Sequence, residues 1–150
     1  MTAGTAAIPR HALLACEPFS PRLAAARVAG ALAAGLTAAG ALAPDAVELP
    51  AGADDRATAA LLEHEGFHKR MLAARALVIA VPSLTERTLA GSAAFELATL
   101  ARQSGVPCYA VAAKVELNEF DLRIIDLQLV LRARGTGTLR QAGERLAEVI

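Results

Sequence analysis

ALVIAVPSLTERTLAGSAAFELATLARQSGVPCYAVAA, residues 76–113, reads as strand, loop, helix, turn and strand. Ala76 to Val81 is a short apolar run ended by Pro82, and Pro107 to Ala113 is a second one, both of the length and composition of buried parallel strands. Between them Leu89, Ala93, Leu97 and Leu100 recur at three- and four-residue spacing, the stripe of an amphipathic helix. Ser83 followed by Glu86 predicts a capping box at its start, and Ser104-Gly105 predicts its end. The stretch is a βαβ unit. Ligands of open α/β sheets collect outside the carboxyl ends of strands, so the loop Pro82 to Thr88 is the first candidate site.

Outward from this unit the same alternation continues. His11 to Glu17 predicts a first strand closed by Pro18 and Pro21, and Arg22 to Gly40 a long helix with Val28, Leu32 and Leu36 along one side. Gly30 and Gly35 inside that helix each cost about 1 kcal/mol relative to Ala, which close approach to the sheet would offset. Asp45 to Leu49 predicts a second strand, Ala53 to Glu63 a helix with Asp54 or Asp55 as N-cap, and Phe67 to Arg75 a short helix. Lys114 to Asp121 reads as polar and irregular, Ile125 to Leu131 as a last strand, and Leu139 to Ile150 as a helix capped by Thr138 with Gln141 three residues on. Five strands alternating with helices predict a three-layer α/β/α Rossmann-like domain with a mostly parallel five-stranded sheet. The expected organisation is a flexible N-terminus over residues 1–10 and a single domain over 11–150.

Composition narrows the function classes. Of 150 residues 55% are hydrophobic but only 3% aromatic, so the core is built from Ala, Leu, Val and Ile. Fifteen basic residues balance 15 acidic ones, and no basic cluster is interleaved with aromatics, which argues against a nucleic-acid partner. Cys16 and Cys108 each lie in an apolar predicted strand, as buried reduced thiols of a cytoplasmic protein do. Leu13 to Cys16 resembles a lipobox, but the apolar run before it is shorter than the ~7–15 residues a signal sequence needs. Val28 to Pro44 is rich in Ala and Gly and short of the ~20 apolar residues that span a bilayer, so no membrane association is expected.

Three stretches could carry chemistry. His64-Glu65-Gly66-Phe67-His68 matches the H-E-x-x-H pattern of zinc hydrolases, in which two imidazoles one helical turn apart bind the metal; Gly66 interrupts that helix, so two solvated histidines are the plainer reading. Gly135-Thr136-Gly137-Thr138 offers backbone N–H groups at a strand-to-helix turn but has Arg140 where a dinucleotide fingerprint has its third glycine. Pro82 to Thr88 offers hydroxyls, a carboxylate and a guanidinium, from which no base and nucleophile pair can be assigned.

Three segments, in order, resemble the glycerate kinase family. Ala15-Cys16-Glu17-Pro18-Phe19-Ser20-Pro21-Arg22-Leu23-Ala24 is similar to the motif A-P-D-S-F-K-G-S-L-S; Pro44-Asp45-Ala46 through Thr58 is similar to a P-D-A strand and D-G-G-E-G-T loop; Val78 through Gly91 is similar to V-I-T-G-E-G-R-L-D-x-Q-T-L-x-G-K. Glu17, Phe19, Thr58, Leu84, Thr88 and Gly91 keep or conservatively replace family letters. The departures are Ser20 and Pro21 for Lys and Gly, Ala53-Asp54-Asp55-Arg56-Ala57 for the glycine-rich loop, Val81-Pro82-Ser83 for glycines and glutamate, Thr85 for aspartate and Ser92 for lysine. The family also inserts a large second domain where this chain has only Glu63 to Arg75. The resemblance implies a core whose phosphate-handling groups are replaced: a pseudoenzyme or small-ligand-binding domain, with ATP and Mg²⁺ as cofactors only if kinase activity is retained with a partner chain supplying the missing cations. The expected ligand is a small anion near Glu17, Phe19, Thr58, Ser83, Thr85, Thr88 and Gly91, in a protein compatible with a homodimer.

Overall fold

A computed structural model describes residues 10–52, 54–86 and 91–150. Strands β1 (Leu13–Cys16), β2 (Asp45–Glu48), β3 (Leu77–Thr85), β4 (Cys108–Glu116) and β5 (Leu129–Arg132) form one sheet in the order β2-β1-β3-β4-β5, every neighbouring pair parallel. The helices among the described residues are α1 (Ala25–Ala38), α2 (Asp55–His64), α3 (Phe67–Ala73), α4 (Ala93–Gln103), α5 (Glu119–Ile125) and α6 (Thr136–Val149). Alternation along β1 and β3 sends Leu13, Ala15, Leu77 and Ile79 to a core shared with Phe67, Met71 and Leu97, and Leu14, Cys16, Val78 and Ala80 to one shared with Val28, Leu32, Leu139 and Leu146. The expected three layers are therefore present, with α1 and α6 on one face, α2 to α5 on the other, and the sheet wholly parallel. Cys16 and Cys108 are buried on opposite faces, and burial pushes both thiols up to about 12.

Pro82 does not end β3. Leu13 N donates to Ala76 O and Glu17 N to Ala80 O, each at 2.9 Å, so even-numbered residues of β3 face β1; Leu77 N donates to Pro107 O on the β4 side. Pro82 is the next residue on the β1 side, where β1 has already stopped at Cys16, and its missing N–H removes no bond from that ladder. Strand β3 runs on to Thr85, and β4, read from sequence as irregular beyond Ala113, runs beside it to Glu116. Because β1 stops opposite Ala80 and β5 opposite Ala112, the pairs Ser83–Lys114, Leu84–Val115 and Thr85–Glu116 form a two-stranded ribbon projecting past both neighbours.

Three other expectations change. Ser83 lies within β3, and the cap of α4 is Ser92, whose Oγ accepts from Phe95 N at 3.1 Å; Leu89 of the predicted stripe falls outside the described residues. Ile125 ends a helix instead of opening the last strand: Asn118 Oδ1 accepts from Asp121 N at 2.8 Å, Asp126 closes the helix at φ 58°, and β5 starts only at Leu129. Thr138 is the third residue of α6 and not its cap; its Oγ1 accepts from the backbone N–H groups of Arg134 and Gly135 and donates to Gly135 O.

The glycine cost in α1 is offset by a helix, not by the sheet. A Cβ at Gly35 would overlap Arg140 O and lie 2.9 Å from Glu144 N, and one at Gly143 would overlap Leu32 O and lie 3.1 Å from Gly35 Cα. Helices α1 and α6 thus cross backbone to backbone at two facing glycines. Gly30, by contrast, has nothing within 4 Å of its missing Cβ. Gly30→Ala should raise the unfolding free energy by about 1 kcal/mol, whereas Gly35→Ala or Gly143→Ala should lower it by about 3 kcal/mol or more; urea denaturation of the three variants checks the opposite signs, and equal effects would rule out the close crossing.

Candidate functional site

The strand order reverses between β1 and β3, so the loops leaving their carboxyl ends bound the crevice in which ligands of this topology bind. The loop after β1 is short and closed. Phe19 N donates to Leu23 O at 2.9 Å, Leu23 N to Ser20 O at 3.1 Å, and Ser20 Oγ accepts from Arg22 N at 3.2 Å. Ser20 is thereby used in turning the chain, and Phe19 packs against the α1/α6 core.

Glu17, directly beyond β1, is buried at 7% exposure, and its Oε1 accepts from Gly52 N at 3.0 Å. That bond ties the β1 loop to the β2–α2 loop. A second tie follows: Asp54 and Ser92 form an isolated antiparallel bridge, joining the β2–α2 loop to the entry of α4, next to Gly91 with φ 69°. Glu17, Gly52, Asp54 and Ser92 therefore link three loops along one rim of the sheet. Ser83 and Thr85 stand on the ribbon above that rim, half-buried. Thr88 lies outside the described residues. Thr58 lies in α2 with no exposure, and its Oγ1 has no hydrogen-bond partner among the described residues. The sequence signalled Glu17, Ser83, Thr85 and Gly91, and marked Ser92 as a replaced lysine, but Gly52 enters only through pairing across the loops, which no local pattern encodes.

Nucleotide and Mg²⁺, implied by the family resemblance, fit these residues poorly. Glu17, Glu48, Glu86 and Glu116 follow or close the ends of β1 to β4. Among the described residues two cations beside them are engaged, Lys114 Nζ lying 3.6 Å from Glu116 and Arg132 Nη2 donating to Val115 O at 3.0 Å, while Arg22 and Arg56 belong to the loop after β1 and the first turn of α2. The carboxylates at the strand ends disfavour a triphosphate, and the N–H groups that a glycine-rich turn would aim at phosphate belong here to the paired ribbon. Among the described residues no group of His, Cys, Asp or Glu is placed to hold a metal ion.

The two remaining motifs are structural. His64 is the last residue of α2 and His68 the second of α3, with Gly66 at φ 61° between them, so the H-E-x-x-H imidazoles do not share a helix face. Asp45 of the P-D-A segment accepts from Arg70 Nη2 at 2.6 Å and Nε at 2.8 Å, fastening β2 to α3; this guanidinium holds the carboxyl of Asp45 below the usual range.

Burial pushes the Glu17 carboxyl up, against the weaker opposing effect of the Gly52 N–H. An acid with a raised folded pKa binds its proton more tightly when folded, so its favourable contribution is full below the unfolded carboxylate range and is lost as pH rises through the folded value. Glu17→Gln keeps the acceptor for Gly52 and should raise the melting temperature at pH 7, with the gain vanishing toward about pH 4; a variant less stable at pH 7 would show that the charge is compensated. Thr58→Val replaces an unpartnered buried hydroxyl by a methyl of similar shape and should stabilise by about 1 kcal/mol in the same melts.

Comparison with known proteins agrees with the order of segments in this chain. No curated protein matches it. The model of the glycerate kinase family matches residues 8–149, nearly the whole sequence, including β1 with Glu17, the β2–α2 loop and the β3–ribbon segment. The chain belongs to the glycerate kinase family.

Proposed function

We propose that this chain is a catalytically silent member of the glycerate kinase family that uses the crevice beside Glu17 to hold a small hydroxylated ligand. The observation that carries the reading is the course of β3. At the level where the family resemblance places a glycine-rich turn, this chain continues as paired strand through Pro82 to Thr85. Positioned cations and metal neutralise charge during phosphoryl transfer, and here carboxylates stand at the ends of four strands while Lys114 and Arg132 are taken up by Glu116 and Val115 O. Carboxylates and hydroxyls accept from and donate to ligand hydroxyl groups without needing a phosphate partner. The small anion expected from sequence is then best represented by a hydroxy acid, whose hydroxyls supply the recognition.

A second reading rests on the connection from α2 to α3. Only Glu65 and Gly66 separate the two helices where the family resemblance places an inserted domain, so a kinase completed by a separate chain would need that partner to bring both cations and metal to this rim.

Purified protein at high concentration with ATP, Mg²⁺ and glycerate should consume no ATP above a protein-free control. Sustained turnover, lost on Glu17→Gln, would defeat the silent reading. In thermal-shift measurements glycerate or glycerol should stabilise the fold and ATP should not, a ligand at a hundred times its dissociation constant adding about 2.7 kcal/mol. Stabilisation by ATP with Mg²⁺ and by neither hydroxylated compound would overturn the ligand assignment.

A further inference from the structure

Arg10, His11 and Arg75 line one cavity of about 300 Å³ at the amino-terminal end of the sheet, the end opposite Glu17 and the ribbon. Arg75 N donates to His11 O at 2.9 Å, which holds the segments leading into β3 and β1 side by side. Leu36, Leu42 and Ile150, from the ends of α1 and α6, supply an apolar wall, and Leu42 is half exposed. Among the described residues Arg10, His11 and Arg75 make no ion pair. No Asp or Glu side chain lines the cavity, and Asp45, whose charge reaches His11, is already held by Arg70.

The carboxyl ends of α1 and α6 also point here, and helix C-termini disfavour anions. That opposition is weak at this place. Ala39 N, Ala41 N and Gly40 N occupy the carbonyls of Gly35, Leu36 and Thr37, and Tyr109 Oη donates to Val149 O at 3.3 Å. The two full guanidinium charges of Arg10 and Arg75 outweigh two fractional and partly satisfied dipole ends and the main-chain carboxylate of Ile150, which makes no ion pair among the described residues. A cavity with a cationic mouth and an aliphatic wall selects a molecule with the same division. Guanidinium presents paired donors that match a carboxylate, and the volume suits a short alkyl chain.

We infer that this cavity is a binding site for a short-chain monocarboxylate, separate from the crevice at the other end of the sheet. Sodium hexanoate is the probe, titrated into the ¹⁵N-labelled full chain and followed by amide NMR. Saturable shifts are expected at Ala12, Ala39, Leu42 and Ala147, with Arg10→Gln and Arg75→Gln each weakening binding about tenfold while melting as the parent does. Inorganic phosphate should act on the same amides about tenfold more weakly, because it has nothing to lay on the apolar wall. Ala147→Phe, which fills the cavity and leaves every charge in place, should abolish the shifts. The inference is overturned by any of three results: no saturable shift at these amides up to about 20 mM hexanoate, unchanged affinity in both arginine variants, or phosphate binding as tightly as hexanoate. None of these outcomes bears on ATP consumption or on hydroxylated ligands at the Glu17 rim.

Discussion

Strand β1 stops at Cys16 while its neighbour β3 continues to Thr85, and this inequality of length shapes the carboxyl end of the sheet. It leaves one edge of β3 without a partner, so a proline at position 82 breaks no hydrogen bond and the strand can go on. It leaves Glu17 at the foot of a step, where the carboxylate is buried and accepts from the Gly52 amide. It also leaves the end of the β3–β4 pair as a ribbon that runs past the backbone pairing of β1 on one side and of β5 on the other. A nucleotide site of this topology depends on a turn at that level, with backbone amides directed into the crevice. Regular pairing and an exposed turn exclude one another, and this chain has the pairing.

The ribbon carries its own irregularity. Val81 and Ala112 belong to the α2–α4 side of the core, and Leu84 and Val115 pack to the same side three residues later, so both strands shift their alternation at the same level. The slip brings Leu84 to 2% exposure and keeps the base of the ribbon anchored in the core while its tip meets solvent at Glu86. A paired slip of this kind preserves the register that a slip in one strand would destroy. It is the means by which a chain related to kinases fills a loop position with sheet.

Much of this was legible in the sequence. Apolar runs and helical stripes give the strands and helices in order, because buried parallel strands and amphipathic helices write their burial into local periodicity. What failed did so for non-local reasons. Whether Pro82 terminates a strand depends on where β1 ends, and whether Gly35 meets the sheet or another helix depends on the position of α6; neither fact is within reach of a local window. Ile125 looked like strand because β-branched residues at the end of an amphipathic helix mimic one, and the cap at Asn118 was the signal that could have corrected it. At the site, Glu17 was recognisable from its motif, but its tie to Gly52 spans 35 residues and arises only on folding.

The contact at Gly35 and Gly143 has a mechanical meaning for this crevice. Helix α1 springs from the loop that carries Glu17 and Phe19, and it is keyed to α6 by backbone contact with no side chain between to act as a bearing. A sliding or rolling adjustment along that seam would drive Cα and carbonyl atoms into each other, so this wall behaves as a fixed jaw. Any adjustment of the crevice then falls to the opposite side, where the ribbon projects past β1 and β5, pinned by Leu84 in the core and by Arg132 on Val115 O.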